Sequence, residues 1–107
     1  MKDKQKPASR NMAESADRHS LYEQSVQGVA EEYDFVSGTF RKLRQRQAHS
    51  VREDFCGTAS MCCEWVRRDE HNTATGVDID PEVLAWGRTH NLAALQPNQR
   101  TRVRLIQ

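Results

Sequence analysis

Apolar residues are sparse over the first twenty positions and then settle into regular spacings. From the third ten-residue block onward, Tyr22, Val26, Val29, Tyr33, Val36, Phe40 and Leu43 recur at alternating steps of four and three. That spacing draws one stripe along a helix. It begins just after Ser20-Leu21-Tyr22-Glu23, whose S-x-x-E spacing is that of a capping box with Ser20 at the N-cap. Gly28 and Gly38 lie within the stripe. A glycine in a helix interior costs about 1 kcal/mol relative to alanine, so a bend or break is expected near Gly38. The simplest use of such a stripe is to cover a sheet or the mouth of its ligand site. The same steps fit a heptad, which leaves a two-stranded coiled coil as the competing reading.

Beyond Ala48 the pattern shortens. Val51 and Phe55 flank three charged residues, Arg52, Glu53 and Asp54, a poor text for a central parallel strand, which is normally a near-continuous apolar run. Its C-terminal neighbours mark it as a strand nonetheless. Phe55-Cys56-Gly57 reads as a turn, and Thr58 is placed to cap a helix that ends at Arg67-Arg68. Ala59, Cys62, Cys63 and Val66 share one face of that helix. Thr75 to Ile79 reads as a second strand. Asp80-Pro81-Glu82 is then a strong helix start, with an Asp N-cap, Pro at the first helical position and an acid in the first turn. That helix is expected to run to about Ala94 and to be ended by Gln96-Pro97-Asn98, with a third strand at Thr101 to Ile106.

The order β-α-β-α-β predicts an α/β fold, a Rossmann-like three-layer parallel sheet, truncated and preceded by a helical segment. The divisions expected are a flexible tail over residues 1–17, a helical cap over 18–47, and a partial cofactor-binding domain over 48–107.

Composition narrows the function classes. Sixteen Lys and Arg against fifteen Asp and Glu leave a net charge of +1, so no global field points to nucleic acid or a membrane surface. The one basic cluster, Arg41 to Arg46, is explained by the macrodipole at a helix C-terminus, and nucleic acid as a partner has weak support from it alone. No stretch approaches the roughly 20 apolar residues of a membrane span. The start of the chain leads into no apolar segment of a secretory signal, so a cytoplasmic setting is expected. Three cysteines, Cys56, Cys62 and Cys63, make no disulfide framework. Adjacent Cys62 and Cys63 would point about 100° apart on a helix, and no metal site is expected.

The candidate chemistry lies at the strand tips. Strand, turn with Gly57, helix, and a second strand tipped by Asp78 is the start of a nucleotide-type site, with the ligand across the carboxyl ends of the strands. An acid about 20 residues beyond a glycine turn is the dinucleotide pattern, yet G-x-G-x-x-G is absent. A pyrophosphate needs close backbone approach on several sides, and Phe55 and Ala59 argue against it. An adenosyl ligand without a phosphate tolerates their loss better.

Val51-Arg52-Glu53-Asp54-Phe55-Cys56-Gly57-Thr58-Ala59 resembles the first motif of class I S-adenosylmethionine-dependent methyltransferases, an acid followed by G-x-G-x-G. Glu53 takes the place of the acid, and Phe55, Gly57 and Ala59 stand at the three glycine positions. Gly76-Val77-Asp78-Ile79-Asp80-Pro81-Glu82 is similar to the second motif of that family. The resemblance covers about residues 17 to 107. It implies that Glu53 holds the methionine amino end of S-adenosylmethionine and that the backbone of Phe55, Cys56, Gly57 and Thr58 passes close to the cofactor. It further implies that Asp78 accepts the ribose hydroxyls and that Ile79 lies against the adenine. Tyr22 is a candidate lid from the N-terminal helix.

The departures are also specific. Two of the three glycines are replaced, and the polar residue that the family places after the third strand has no evident counterpart. The chain stops where the family continues, so no catalytic residue is assigned. The expectation is a methyltransferase, or the truncated cofactor-binding half of one that works with a complementing chain or by self-association. Its acceptor is unknown. The rival readings are a non-catalytic dimerising helix protein and a fragment of a dinucleotide-binding oxidoreductase.

Overall fold

The computed structural model describes residues 8–107, with side chains described from Val26 onward. Helix α1 spans Ala8–Arg44, and strand β1 Ser50–Asp54 follows it. Helix α2 (Ser60–Arg68) leads to β2 (Thr73–Val77), and α3 (Pro81–His90) runs into a single 3-10 turn at Leu92–Ala94. A short helix α4 (Pro97–Arg100) precedes β3 (Val103–Ile106). The three strands form a parallel sheet in the order β1-β2-β3, in register through Glu53 opposite Gly76 and Gly76 opposite Leu105. The expected β-α-β-α-β order is therefore the observed one.

The N-terminal helix differs from expectation. It is continuous from Ala8, so Ser20 is interior rather than an N-cap, and the division drawn at residue 17 falls inside the helix. It also runs unbroken through Gly28 and Gly38. Neither glycine has a neighbour within 4 Å of where a Cβ would sit, so each costs propensity without marking a close approach. The helix ends instead at Gln45, whose φ of 58° and backbone bond to the Arg41 carbonyl make a left-handed stop.

The stripe is spent on the protein's own core. Val29, Tyr33, Val36 and Phe40 pack against a buried cluster that includes Met61, Cys62, Cys63, Trp65 and Val66 of α2 and Leu84 of α3. Tyr33 and Trp65 meet at 5.2 Å between ring centroids. These four positions cannot also serve a coiled-coil seam, which corrects the heptad reading. Only Val26 and Leu43 of the described stripe stay exposed. The basic end of α1 holds Arg41, Lys42 and Arg44 in its last turn, where cations complement the dipole, and Arg46 lies over the Phe40 ring.

The two faces of the sheet are unequal. Val51, Glu53, Ala74, Gly76, Val103 and Leu105 turn toward the helices, with Glu53 meeting Cys62 and the apolar ones joining the core. The opposite face presents Arg52, Asp54, Thr75, Val77, Arg104 and Ile106, and no helix of the described residues is packed on it. The charged text of β1 is thereby explained. Its alternation sends Arg52 and Asp54 to the bare face, where they pair at 2.9 Å, and its outer edge has no strand partner among the described residues.

The foot of the sheet is held by polar side chains in buried positions. Asn72 is fully buried and donates to the Trp65 carbonyl, while its side-chain oxygen meets His49 at 2.9 Å. The Trp65 indole N–H donates to the His49 carbonyl at 3.0 Å. These bonds tie the end of α2 to the starts of β1 and β2, at the end of the sheet remote from the candidate site.

No helix of the described residues is long and apolar enough to cross a membrane. Cys56, Cys62 and Cys63 are all buried free thiols. Burial and the neighbouring Glu53 push Cys62 up to about 12, and burial pushes Cys63 up to about 11, so both behave as small apolar groups.

Candidate functional site

The turn after β1 has an unusual backbone. Phe55, Gly57 and Ala59 all take left-handed conformations, at φ 61°, 60° and 67°. These are the three positions at which the first motif carries glycine. The path that glycine permits is kept here with two side chains present. A left-handed conformation costs about 1–2 kcal/mol at a residue other than glycine, so the turn is strained at both Phe55 and Ala59.

Ala59, not Thr58, stands at the N-cap of α2, and no side chain caps that helix. Thr58 fails as a cap because its hydroxyl lies 3.4 Å from the Ser60 hydroxyl instead of reaching a backbone N–H. Its carbonyl is taken by the Asn91 amide at 2.8 Å. Gly87 of α3 passes so close that a Cβ there would sit 2.5 Å from the same carbonyl oxygen. The turn is thus held from outside, by α3 and the residue after it.

The turn after β2 is built differently. Asp80 caps α3 by accepting from the Glu82 N–H at 2.9 Å, with Pro81 in the first turn, as expected. Asp78 accepts from the Asp80 N–H through one oxygen at 3.0 Å and from the Gly57 N–H through the other at 2.9 Å. The carboxylate therefore joins the two turns. Backbone donation from Asp80, then from Gly57, holds Asp78 below the usual carboxylate range. Each carboxylate oxygen has two lone pairs, so each retains acceptor capacity after its backbone bond.

Beside Asp78 a cavity of about 270 Å³ opens at the carboxyl ends of the strands, lined by Arg52, Asp54, Phe55, Val77, Asp78, Ile79 and Gln107. Phe55 and Ile79 are 87% and 82% exposed there, the two highest values among the exposed large apolar residues described. Gln107 directly follows β3, so a polar residue does stand after the third strand, contrary to expectation.

The remaining expected site residues are divided. Glu53 does not line this cavity. It points to the helical side, half buried, 3.8 Å from the Cys62 sulfur. Burial, then the Glu32 carboxylate of α1, raise its pKa, and the Cys62 contact partly opposes them. Cys56 is buried, near enough to Glu53 and Asp78 for both charges to act on its thiol, and fills the space above Gly76, where a Cβ would meet its sulfur at 2.8 Å. Thr58 lines a second cavity of about 470 Å³ between α1, α2 and α3, with Val26, Glu64, Trp86 and His90 on its walls. The Tyr22 side chain lies outside the described residues. No group of three or more His, Cys, Asp or Glu side chains is arranged to hold a metal among the described residues.

No protein-family model matches the sequence, and a search of curated proteins gives no significant match. Solved structures do match the fold. The plantazolicin methyltransferase BpumL, in complex with a monoazolic desmethylPZN analog and SAH, aligns over 98% of this chain at a TM-score of 0.61 and 12% identity. The plantazolicin methyltransferase BamL aligns over 88% at 0.59 and 16%. The glycopeptide N-methyltransferase MtfA aligns over 75% at 0.58 and 22%. The chain is a Rossmann-like α/β unit of the kind found in these methyltransferases. It spans 36%, 32% and 31% of those three chains.

Proposed function

We propose that this chain is the cofactor-binding portion of a class I methyltransferase and binds S-adenosylmethionine across the carboxyl ends of β1 and β2. The observation that carries the reading is the 2.9 Å bond between the Gly57 N–H and the Asp78 carboxylate, at the rim of the cavity lined by Ile79 and Gln107. It joins the glycine turn and the acid of the second motif at one crevice. The chemistry of that crevice suits an adenosyl group. Asp78 is an ionised acceptor with free lone pairs for a diol, and Ile79 offers an apolar surface for a flat ring. Glu53, the acid that the resemblance assigns to the amino end of the cofactor, lies on the helical side of the sheet against Cys62.

When bound, the cofactor supplies a sulfonium whose methyl group passes to a nucleophile. The protein's share of such a reaction is chiefly orientation. In this chain that share falls to Asp78, Ile79 and the Gly57 turn. The acceptor and the groups at the reacting centre are not assigned to any of its residues. Three free cysteines suit a reducing, cytoplasmic setting.

A dinucleotide is a poorer ligand for the same geometry. The Gly57 N–H, the donor that a phosphate would need, is already bonded to Asp78, whose carboxylate would repel a pyrophosphate. The neighbouring structures with SAH support the adenosyl ligand over a nicotinamide one.

Isothermal calorimetry tests the reading. S-Adenosylhomocysteine is expected to bind the intact chain and NAD is not. Asp78→Asn, which keeps one side-chain acceptor for the turns, should weaken S-adenosylhomocysteine at least about tenfold. Absence of binding by the wild-type chain, or an unchanged constant in Asp78→Asn, would refute it.

A further inference from the structure

Phe55 is the least economical residue of the site by folding criteria alone. Its backbone is left-handed, at φ 61°, where a side chain adds strain that glycine would avoid. Its ring is 87% exposed, so burial in the described chain does little to offset that strain. The ring is not stray, however. It lines the cavity of about 270 Å³ together with Val77, Asp78, Ile79 and Gln107. Ile79, on the adjacent strand's turn, is nearly as exposed and lines the same space. Two large apolar side chains thus share one cavity with a carboxylate and a carboxamide.

We propose that the Phe55 ring is a ligand-contacting wall of this crevice, holding a planar heteroaromatic base against Ile79. The inference rests on the adenosyl reading and deepens it, since it assigns a side-chain role to a position at which the first motif carries no side chain. The shape argument is that an aromatic face and a branched aliphatic side chain together bury both faces of a flat base. The polar argument is that Gln107, at the same cavity, offers one donor and one acceptor group to a base edge, while Asp78 takes the hydroxyls of an attached sugar. The turn's strain is then offset in the bound state, by contacts made only with ligand present.

The two accounts of Phe55 predict opposite signs for one substitution. Phe55→Gly removes both the strain and the ring. Were the ring idle, the variant would melt at a higher temperature and bind S-adenosylhomocysteine as well as the wild type or better. With the ring as a wall, the variant melts at the same or a higher temperature, yet binds S-adenosylhomocysteine and adenosine about tenfold or more weakly. Phe55→Tyr should stay within about threefold of wild type, because it keeps the aromatic face. Undiminished binding by Phe55→Gly, with wild-type binding intact, overturns this inference and leaves the adenosyl reading standing. Failure of the wild type to bind overturns both. Self-association of the wild type that is lost in Phe55→Gly, with ligand affinity unchanged, would assign the ring to a contact between chains and also overturn it.

Discussion

At the carboxyl end of β2 the chain turns through Asp78-Ile79-Asp80-Pro81, and each step is made by residues at or beside it. Asp80 caps α3, Pro81 supplies a preset φ, and Asp78 accepts from the N–H two residues on. At the carboxyl end of β1 the chain turns through Phe55 to Ala59 with three left-handed residues and no side-chain cap for the helix after it. Its support comes from far along the chain, from Asp78, Gly87 and Asn91. One turn is specified by its own chemistry and the other is imposed by packing. Strain can persist in the second only because distant elements over-determine its path.

The sharpest way to break this contrast is at Gly87. A methyl there would sit 2.5 Å from the Thr58 carbonyl oxygen, which is backbone and cannot swing aside. Gly87→Ala should lower stability by about 1–3 kcal/mol despite the better helix propensity of alanine, read from the urea midpoint. A gain in stability would show that the first turn is not held by α3. The locally specified turn should respond less. Asp80→Ala removes one cap and is expected to cost about 1 kcal/mol, with the loss confined in hydrogen exchange to the first turn of α3. Equal deprotection at Gly57 would mean that the two turns unfold together.

The smallest effect is electrostatic, and it separates the acids beside the two turns. Glu53 is raised by burial and by Glu32, whereas Asp78 is lowered by backbone donors. A raised carboxyl binds its proton more tightly when folded. Its contribution is therefore favourable at acid pH and is lost as pH rises from its ordinary value of 4.5 through the raised folded value. A lowered carboxyl does the reverse, stabilising above its ordinary value of 3.8 and losing that contribution as pH falls through the folded value. Glu53→Gln should accordingly raise Tm modestly at neutral pH and leave it little changed near pH 4, in melts run across that range. A fall in Tm at neutral pH would indicate that the Glu53 carboxylate has a partner that stabilises its charge.

Much of the sheet and one turn are legible in the sequence, for reasons visible in single residues. Asp80-Pro81-Glu82 carries its helix start in three adjacent side chains, and the order of strands and helices comes from such punctuation. The N-terminal helix is misread from sequence because Ser20 and Glu23 form a local cap signal that a longer helix overrides. The cost of Gly28 and Gly38 is also small beside the packing of Val29, Tyr33, Val36 and Phe40. Thr58 is misread as a cap because its carbonyl and hydroxyl are committed to Asn91 and Ser60, and no window around position 58 contains Asn91.

The sequence by itself determined that a glycine turn and an acid-tipped strand lie on one parallel α/β unit, because turn chemistry and capping act over a few neighbouring residues. Only the tertiary structure decided that the Gly57 N–H reaches Asp78, that Glu53 and Phe55 face different sides of the sheet, and that Gln107 joins the crevice. Those outcomes depend on strand register and on which residue of α3 presses on the first turn. Such contacts are made between residues far apart in the chain, and no local preference encodes them.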